Sequence, residues 1–360
     1  MSTRRDASPP LLRLLRAVPG PPQSVSEALV PDGASTFPEP DAIELVTTAR
    51  RHALSAFVRH ALGEAHISLP TEAAAQLQRD AASVLGTNLR LKGLLLRSLD
   101  ALHAQGVPPP VLLKGYGLGL RLYPDPLLRA ATDVDLLVEE VHLGAAQRAL
   151  QSLGLQRIED PGYGDYLEHH HHLSFTGEAG AVELHFRPSL GFGRKLSAEP
   201  LLARARPFTI EGRAARHASP EDELVYLAVH AAQHAFLRLS WLYDLKLLAL
   251  REGSRLKWSE VLSAARASGM SVAVHTALER AHDAVGLPLP PEVLTKLPGR
   301  GWRTAIARRV FSETELVEAN LASQKGPAFA LRTVLCTGPV ATIRHAADGA
   351  ARLLRRRLAK

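Results

Sequence analysis

The sequence predicts an α/β core over residues 106–213, held between helical regions at 41–105 and 214–325. Three observations lead there. Apolar residues recur at helical spacing up to Gly106 and again after about Arg213. Between those points the period changes to short apolar runs, and Pro108-Pro109-Pro110 interrupts the chain where the change occurs. The runs themselves, Val111–Leu113, Asp133–Val138, His169–Phe175 and Ala181–Phe186, have the length of buried strands.

Taken in order, residues 1–40 are rich in proline and serine and are expected to be poorly ordered. Thr71 follows Pro70 as an N-cap, and Leu89, Leu91, Leu94, Leu95, Leu96 and Leu99 load a long helix that ends near Gly106. After the first strand, Gly117–Tyr123 reads as a short helix closed by Pro124 and Pro126. The second strand, Asp133–Val138, is followed by an amphipathic helix from His142 to Leu153 that Gly154 stops. The turn Thr176–Gly180 joins the third and fourth strands. Ser219-Pro220-Glu221-Asp222 opens the second helical region with a capping hydroxyl, a first-turn proline and acids at the positive end of the dipole. Helices then run through Leu250, from Trp258 to Ser268 and from Val272 to Val285, and 326–360 forms a basic tail. No internal repeat is visible.

Bulk composition bounds the function. With 360 residues, 46% hydrophobic and 22% charged, the chain is globular and long enough for a large core. The single cysteine, Cys336, excludes an intrachain disulfide framework and suits a reducing compartment. The N-terminus lacks the apolar stretch of a secretory signal, and no uncharged apolar run approaches the ~20 residues that span a bilayer. The expectation is a soluble, cytoplasmic protein. A net charge of +7 and a pI near 9.7 would attract nucleotides or nucleic acid. Aromatics, at 5%, are too few for a base-stacking surface, and Arg352–Arg357 reads as a solvated basic helix or as an RNA contact.

The chemistry concentrates in residues 111–140. Along a strand, residues i and i+2 share a face, so Asp133 and Asp135 project side by side. Carboxylates this close repel, and the site must take up a proton or a cation. Mg²⁺ suits such oxygen ligands, whereas the plainer alternative has Asp133 capping a turn and Asp135 solvated. Glu183, in Ala181–Phe186, points away from its neighbours Val182 and Leu184. If that strand lies beside Asp133 and Asp135, three carboxylates meet at one sheet edge and can hold two metal ions. Lys114-Gly115 closes the first strand with positive charge and a residue that lets backbone approach a phosphate.

Other readings compete. Gly115, Gly117 and Gly119 are close to a dinucleotide fingerprint, but its third glycine would be Leu120. The run His169–His172 offers metal ligands without an evident spaced partner, or lines a strand or cleft. His230, His234, Trp241 and Asp244 fall on one helical face with Arg238 at its margin, facing either the core or a cleft. Arg129 braces a phosphate or pairs with an acid, and His185, two residues past Glu183, is placed to orient it.

The stretch Leu112–Val138, followed by Val182–Phe186 and by Leu227–Leu248, resembles the uncharacterised nucleotidyltransferase family of the DNA polymerase β-like superfamily, over roughly residues 91–286. The resemblance implies a small mixed-sheet core with helical flanks. It implies two Mg²⁺ ions (Mn²⁺ in their place) held by Asp133, Asp135 and Glu183, with Gly115 at the triphosphate turn. It departs at one point: Lys114-Gly115-Tyr116 stands where the superfamily commonly has Gly-Ser, so a phosphate-touching hydroxyl is missing and Lys114 would substitute as a point charge. The expected activity is transfer of a nucleoside monophosphate from an NTP to an acceptor hydroxyl or phosphate. Lys114, Gly115, Arg129, His185, His230 and His234 are the candidate nucleotide contacts. The acceptor class stays open among a small molecule, a peptide and tRNA, and a catalytically silent nucleotide- or protein-binding relative is the alternative.

Overall fold

A computed structural model of the chain describes residues 8–30, 37–158, 170–297, 301–321 and 323–358. Among these, five helices precede the sheet: α1 (Pro10–Ala17), α2 (Pro22–Leu29), α3 (Glu39–Arg51), α4 (Ser55–Glu64) and α5 (Thr71–Ala104). The strands are β1 (Val111–Leu112), β2 (Asp133–Leu137), β3 (Gln156–Arg157), β4 (His172–Gly177), β5 (Gly180–His185), β6 (Ser189–Gly191), β7 (Arg194–Leu196), β8 (Arg206–Ile210) and β9 (Arg213–His217). Helices α6 (Gly115–Leu122), α7 (Leu143–Ser152) and α8 (Glu199–Ala203) lie between them. The chain continues with α9 (Pro220–Gln233), α10 (Leu239–Glu252), α11 (Trp258–Ala267) and α12 (Ser271–Val285). It closes with α13 (Pro291–Lys296), α14 (Trp302–Val310), α15 (Glu313–Glu318), α16 (Lys325–Val334) and α17 (Gly338–Leu358).

The main sheet is mixed, in the order β3-β4-β5-β2-β1-β9-β8, with β2 parallel to β5 and antiparallel to β1. One face packs Val134, Leu136, Val182 and Leu184 against the C-terminal half of α5 and against α7. The other face looks toward a larger core shared by α1–α4 and α9–α12. Helix α5, 34 residues and about 50 Å long, joins the two cores. Its Ala73, Leu77 and Ala81 enter the helical core, and Leu91, Leu95 and Leu99 enter the sheet core.

Expectations change at the N-terminus, at the end of the sheet core and in the tail. The N-terminal stretch is not uniformly poorly ordered: Leu11, Leu12, Leu14 and Leu15 of α1 are fully buried in the helical core, and the end of this helix is anchored by Lys246. From α10 its ammonium donates to Leu15 O (2.6 Å), Arg16 O (3.0 Å) and Val18 O (2.6 Å), capping the C-terminal end of α1. Lys246→Met is expected to cost about 2–3 kcal/mol, read as a lower urea midpoint with early loss of protection in residues 10–17. Residues 31–36 lie outside the described residues. The helical regions before and after the sheet share one core. The sheet core does not end at 213: β8 and β9 form a hairpin whose turn, Glu211-Gly212, has positive φ at both positions (46° and 79°). The tail also folds further than expected, since Leu335, Cys336 and Ala341 are fully buried in the helical core.

His52 ties the end of α3 to α10 and α15. Its Nδ1 accepts from Leu239 N (3.1 Å) and its Nε2 donates to Val317 O (2.8 Å). Burial holds its pKa down from 6.5 to about 4. The unfolded chain therefore takes up a proton that the folded chain refuses between those values. The stabilisation is complete above pH 6.5 and is lost as pH falls through 4, a swing of about 3 kcal/mol. Equilibrium denaturation at stepped pH should show this slope, and His52→Gln should flatten it.

Among the described residues, no helix is long and apolar enough to cross a membrane.

Candidate active site

Two strands place the acids. In the parallel pairing of β2 with β5, Asp135 lies directly opposite Glu183. The alternation that buries Val134, Leu136, Val182 and Leu184 on one face turns Asp133, Asp135, Glu183 and His185 to the other. Asp135 is 2% exposed, which removes the reading of a solvated acid. Its Oδ1 accepts from His185 Nε2 at 3.1 Å, and Glu183 Oε2 lies 3.3 Å from the same nitrogen.

Lys114 sits among the three acids. It is the N-cap residue of α6, just past β1, and its ammonium reaches Asp135 Oδ1 (2.6 Å), Asp133 Oδ1 (3.6 Å) and Glu183 Oε2 (3.9 Å). Lys114 is thus the counter-ion of the three carboxylates. Burial and the neighbouring Asp135 push Asp133 up to about 6. Against its own burial, Asp135 is held well below the usual carboxylate range by Lys114 and His185. Burial disfavours the charged form of Lys114, yet the surrounding carboxylates hold it protonated and its pKa above the usual lysine value.

The residues fit a hard divalent cation. One ammonium faces three carboxylates, and Asp135 Oδ2 is buried with no hydrogen-bond partner. A buried, orphaned carboxylate oxygen beside two further acids is a donor set suited to Mg²⁺.

The glycines around this turn have local reasons. Gly115 adopts φ +64°. A Cβ on Gly117 would meet Leu112 Cδ1 at 2.7 Å, and one on Gly119 would meet Pro126 O at 2.6 Å. Close packing of α6, not a dinucleotide turn, accounts for the last two.

The acids open onto a cavity of about 350 Å³, a size typical of small-molecule sites. Its far wall comes from the α9–α10 corner. His230, His234 and Trp241 do not share one continuous helix as the spacing suggested, because α9 ends at Gln233 and α10 begins at Leu239. The corner nevertheless gathers them: His230 and Trp241 ring centroids lie 5.0 Å apart, and those of His234 and Trp241 5.1 Å. Arg238 lies over the Trp241 ring at 5.8 Å. Burial holds His230 well below its ordinary pKa and His234 at about 4, so both rings are neutral near pH 7.

Asp244, the fourth member of that stripe, faces the core. Arg129 grips it with Nη2–Oδ2 at 2.8 Å and Nε–Oδ1 at 3.2 Å, and Tyr123 Oη donates to the same carboxylate at 2.9 Å. Of the two options left open for Arg129, the acid partner is the one realised. Asn88 fixes the backbone on either side, donating to Leu127 O and Arg129 O and accepting from Ala131 N. This clamp sets the entry to β2 and hence to Asp133.

Three features escaped the sequence reading. Tyr226 lines the cavity near Lys114, and its place on α9 gave no signal apart from helical spacing. His171 and His172 lie near His185, the spaced partner that the histidine run lacked. His169 lies outside the described residues. The Lys114–acid contact depends on a side-chain direction that spacing does not encode.

A mixed sheet with three acids on one face, opening to a cavity closed by helices, is the class of site that a nucleotidyltransferase core provides. The chain belongs to the uncharacterised nucleotidyltransferase family, whose model matches residues 38–286. No curated protein matches it. Two solved structures are similar over about half of the chain. A solution structure of the antibiotic-resistance factor ANT(2″)-Ia is 17% identical, covering 53% of this chain and 96% of that chain at a TM-score of 0.37. A crystal structure of ANT(2″)-Ia with adenylyl-2″-tobramycin is 16% identical, covering 49% and 95% at 0.36.

Proposed function

We propose that the protein is a Mg²⁺-dependent nucleotidyltransferase that moves a nucleoside monophosphate from an NTP to an acceptor hydroxyl or phosphate and releases pyrophosphate. The observation that supports this most directly is the convergence of Asp133, Asp135 and Glu183 on one sheet face beside an open cavity. These three side chains would hold two Mg²⁺ ions, with Mn²⁺ able to replace them, and the ions would supply charge neutralisation for the transfer.

The chain's own residues do the remaining work. Glu183, partly exposed at the cavity, accepts the proton of the acceptor hydroxyl. His185 positions both Asp135 and Glu183 through its shared Nε2. Lys114 holds the acids together before nucleotide arrives and turns its charge to the triphosphate afterwards, beside Gly115 at the start of α6. The His230–His234–Trp241 corner presents flat neutral rings to the base or the acceptor, and Arg238 adds a cation there. A cavity of about 350 Å³ favours a small molecule or a peptide side chain as acceptor. Catalysis on this account comes from positioning and charge compensation.

Thermal unfolding with each NTP, with and without Mg²⁺, tests the reading. A rise in Tm that needs both NTP and Mg²⁺, and that disappears in Asp133→Asn, supports it. No stabilisation by any NTP with Mg²⁺ or Mn²⁺ would leave a catalytically silent relative.

A further inference from the structure

We propose that His171, His172 and His185 form a second metal site, for a borderline transition-metal ion such as Zn²⁺, next to the carboxylate site for Mg²⁺ and joined to it through His185. Coordinating atoms of the three imidazoles lie within 4.8 Å of one another. Four-coordinate Zn²⁺ with Zn–N bonds of about 2.0–2.1 Å asks for nitrogens about 3.4 Å apart. Small side-chain adjustments therefore close the site.

The backbone explains how neighbouring residues come to share it. His172 pairs directly with His185 across the β4–β5 ladder. His171 precedes β4, and its carbonyl accepts from both Phe186 N and Arg187 N at 3.1 Å, a local bulge. Bulges re-aim side chains, and this one leaves the His171 and His172 rings 4.4 Å apart, with His171 and His185 at 5.5 Å.

The hydrogen-bond inventory points to a ligand. His185 Nε2 is engaged by Asp135 and Glu183, and His172 Nε2 lies 3.6 Å from Glu183 Oε1. The Nδ1 atoms of both His172 and His185 are buried without a hydrogen-bond partner. A buried polar atom without a partner calls for an explanation. Metal-bound imidazoles commonly direct their second nitrogen to a carboxylate, which fixes the tautomer and orients the ring. Here the carboxylates are already in place. Imidazole donors favour Zn²⁺, Ni²⁺ or Cu²⁺ over Mg²⁺, so the two sites select different ions. An ion bound here fixes the proton of His185 on Nε2, toward the acids. The proposal stands apart from the nucleotidyl-transfer reading and survives if that reading fails.

The test uses the full chain, purified without an affinity tag, stripped with EDTA, desalted and titrated with Co²⁺ while the visible ligand-field spectrum is followed. The expected result is one Co²⁺ per chain with four-coordinate absorption that excess Mg²⁺ does not displace. Affinity should fall at least tenfold in His171→Ala and in His172→Ala. It should be unchanged in Asp133→Asn and in the double variant His169→Ala/His170→Ala, with circular dichroism confirming that each variant is folded. The proposal is overturned if folded wild type binds no Co²⁺. It is also overturned if Mg²⁺ or Asp133→Asn removes the signal, or if only the His169/His170 variant does.

Discussion

Asp133→Asn is expected to reduce Mg²⁺-dependent NTP affinity by more than the ~10–100-fold that follows loss of a metal site's outer partners. Once an acceptor is in hand, transfer should fall by about a thousandfold or more, equivalent to ~4 kcal/mol of transition-state stabilisation. The fold should survive, because Asp133 is partly exposed and lies 3.6 Å from Lys114, outside its closest contact. Asp135→Asn should be equally inactive but also less stable, since it strips the buried Lys114 ammonium of its partner at 2.6 Å. Calorimetric titration with NTP and Mg²⁺, paired with denaturant unfolding, separates the two variants. Equal stability losses in both would show that Asp133 is structural.

The largest stability effect is expected at Arg129 and Asp244. The pair is buried and carries a two-pronged contact together with the Tyr123 hydroxyl. Asp244→Ala leaves a buried guanidinium unpaired and should cost about 3–5 kcal/mol. Arg129→Met/Asp244→Leu should recover much of that loss, because two apolar side chains need no counter-ion. The double variant should remain impaired in NTP binding, because the clamp also sets the backbone that leads into β2. Urea unfolding of Arg129→Met, Asp244→Leu and the double variant gives the coupling energy. A double variant as unstable as either single one would indicate that shape, not charge, dominates.

The acids were legible in the sequence because a strand's alternation is rigid. Asp135 and Glu183 each stand between apolar neighbours and Asp133 precedes Val134, and those neighbours dictate which way the carboxylates face. Lys114 was legible as a cation at the end of β1. Its partner was not, because that depends on how β1 packs beside β2. The β8–β9 hairpin passed unnoticed because only Ile210 and Ala215 are buried along it, so no apolar alternation marks it. The Glu211-Gly212 turn was the available signal. The order of α1 was hidden for a similar reason, since its cap, Lys246, lies 231 residues from Leu15. Contacts of such range leave no trace in local composition. His171 and His172 needed the β4–β5 register to acquire His185 as a partner.

A crystal structure with Mn²⁺ and a non-hydrolysable NTP analogue tests the central claim most directly. The account predicts anomalous density bridging the triphosphate to Asp133, Asp135 and Glu183, with the Lys114 ammonium drawn from Asp135 toward the phosphates. Density confined to the histidines, or an analogue bound with Lys114 still locked on Asp135 and no ion at the acids, would contradict it.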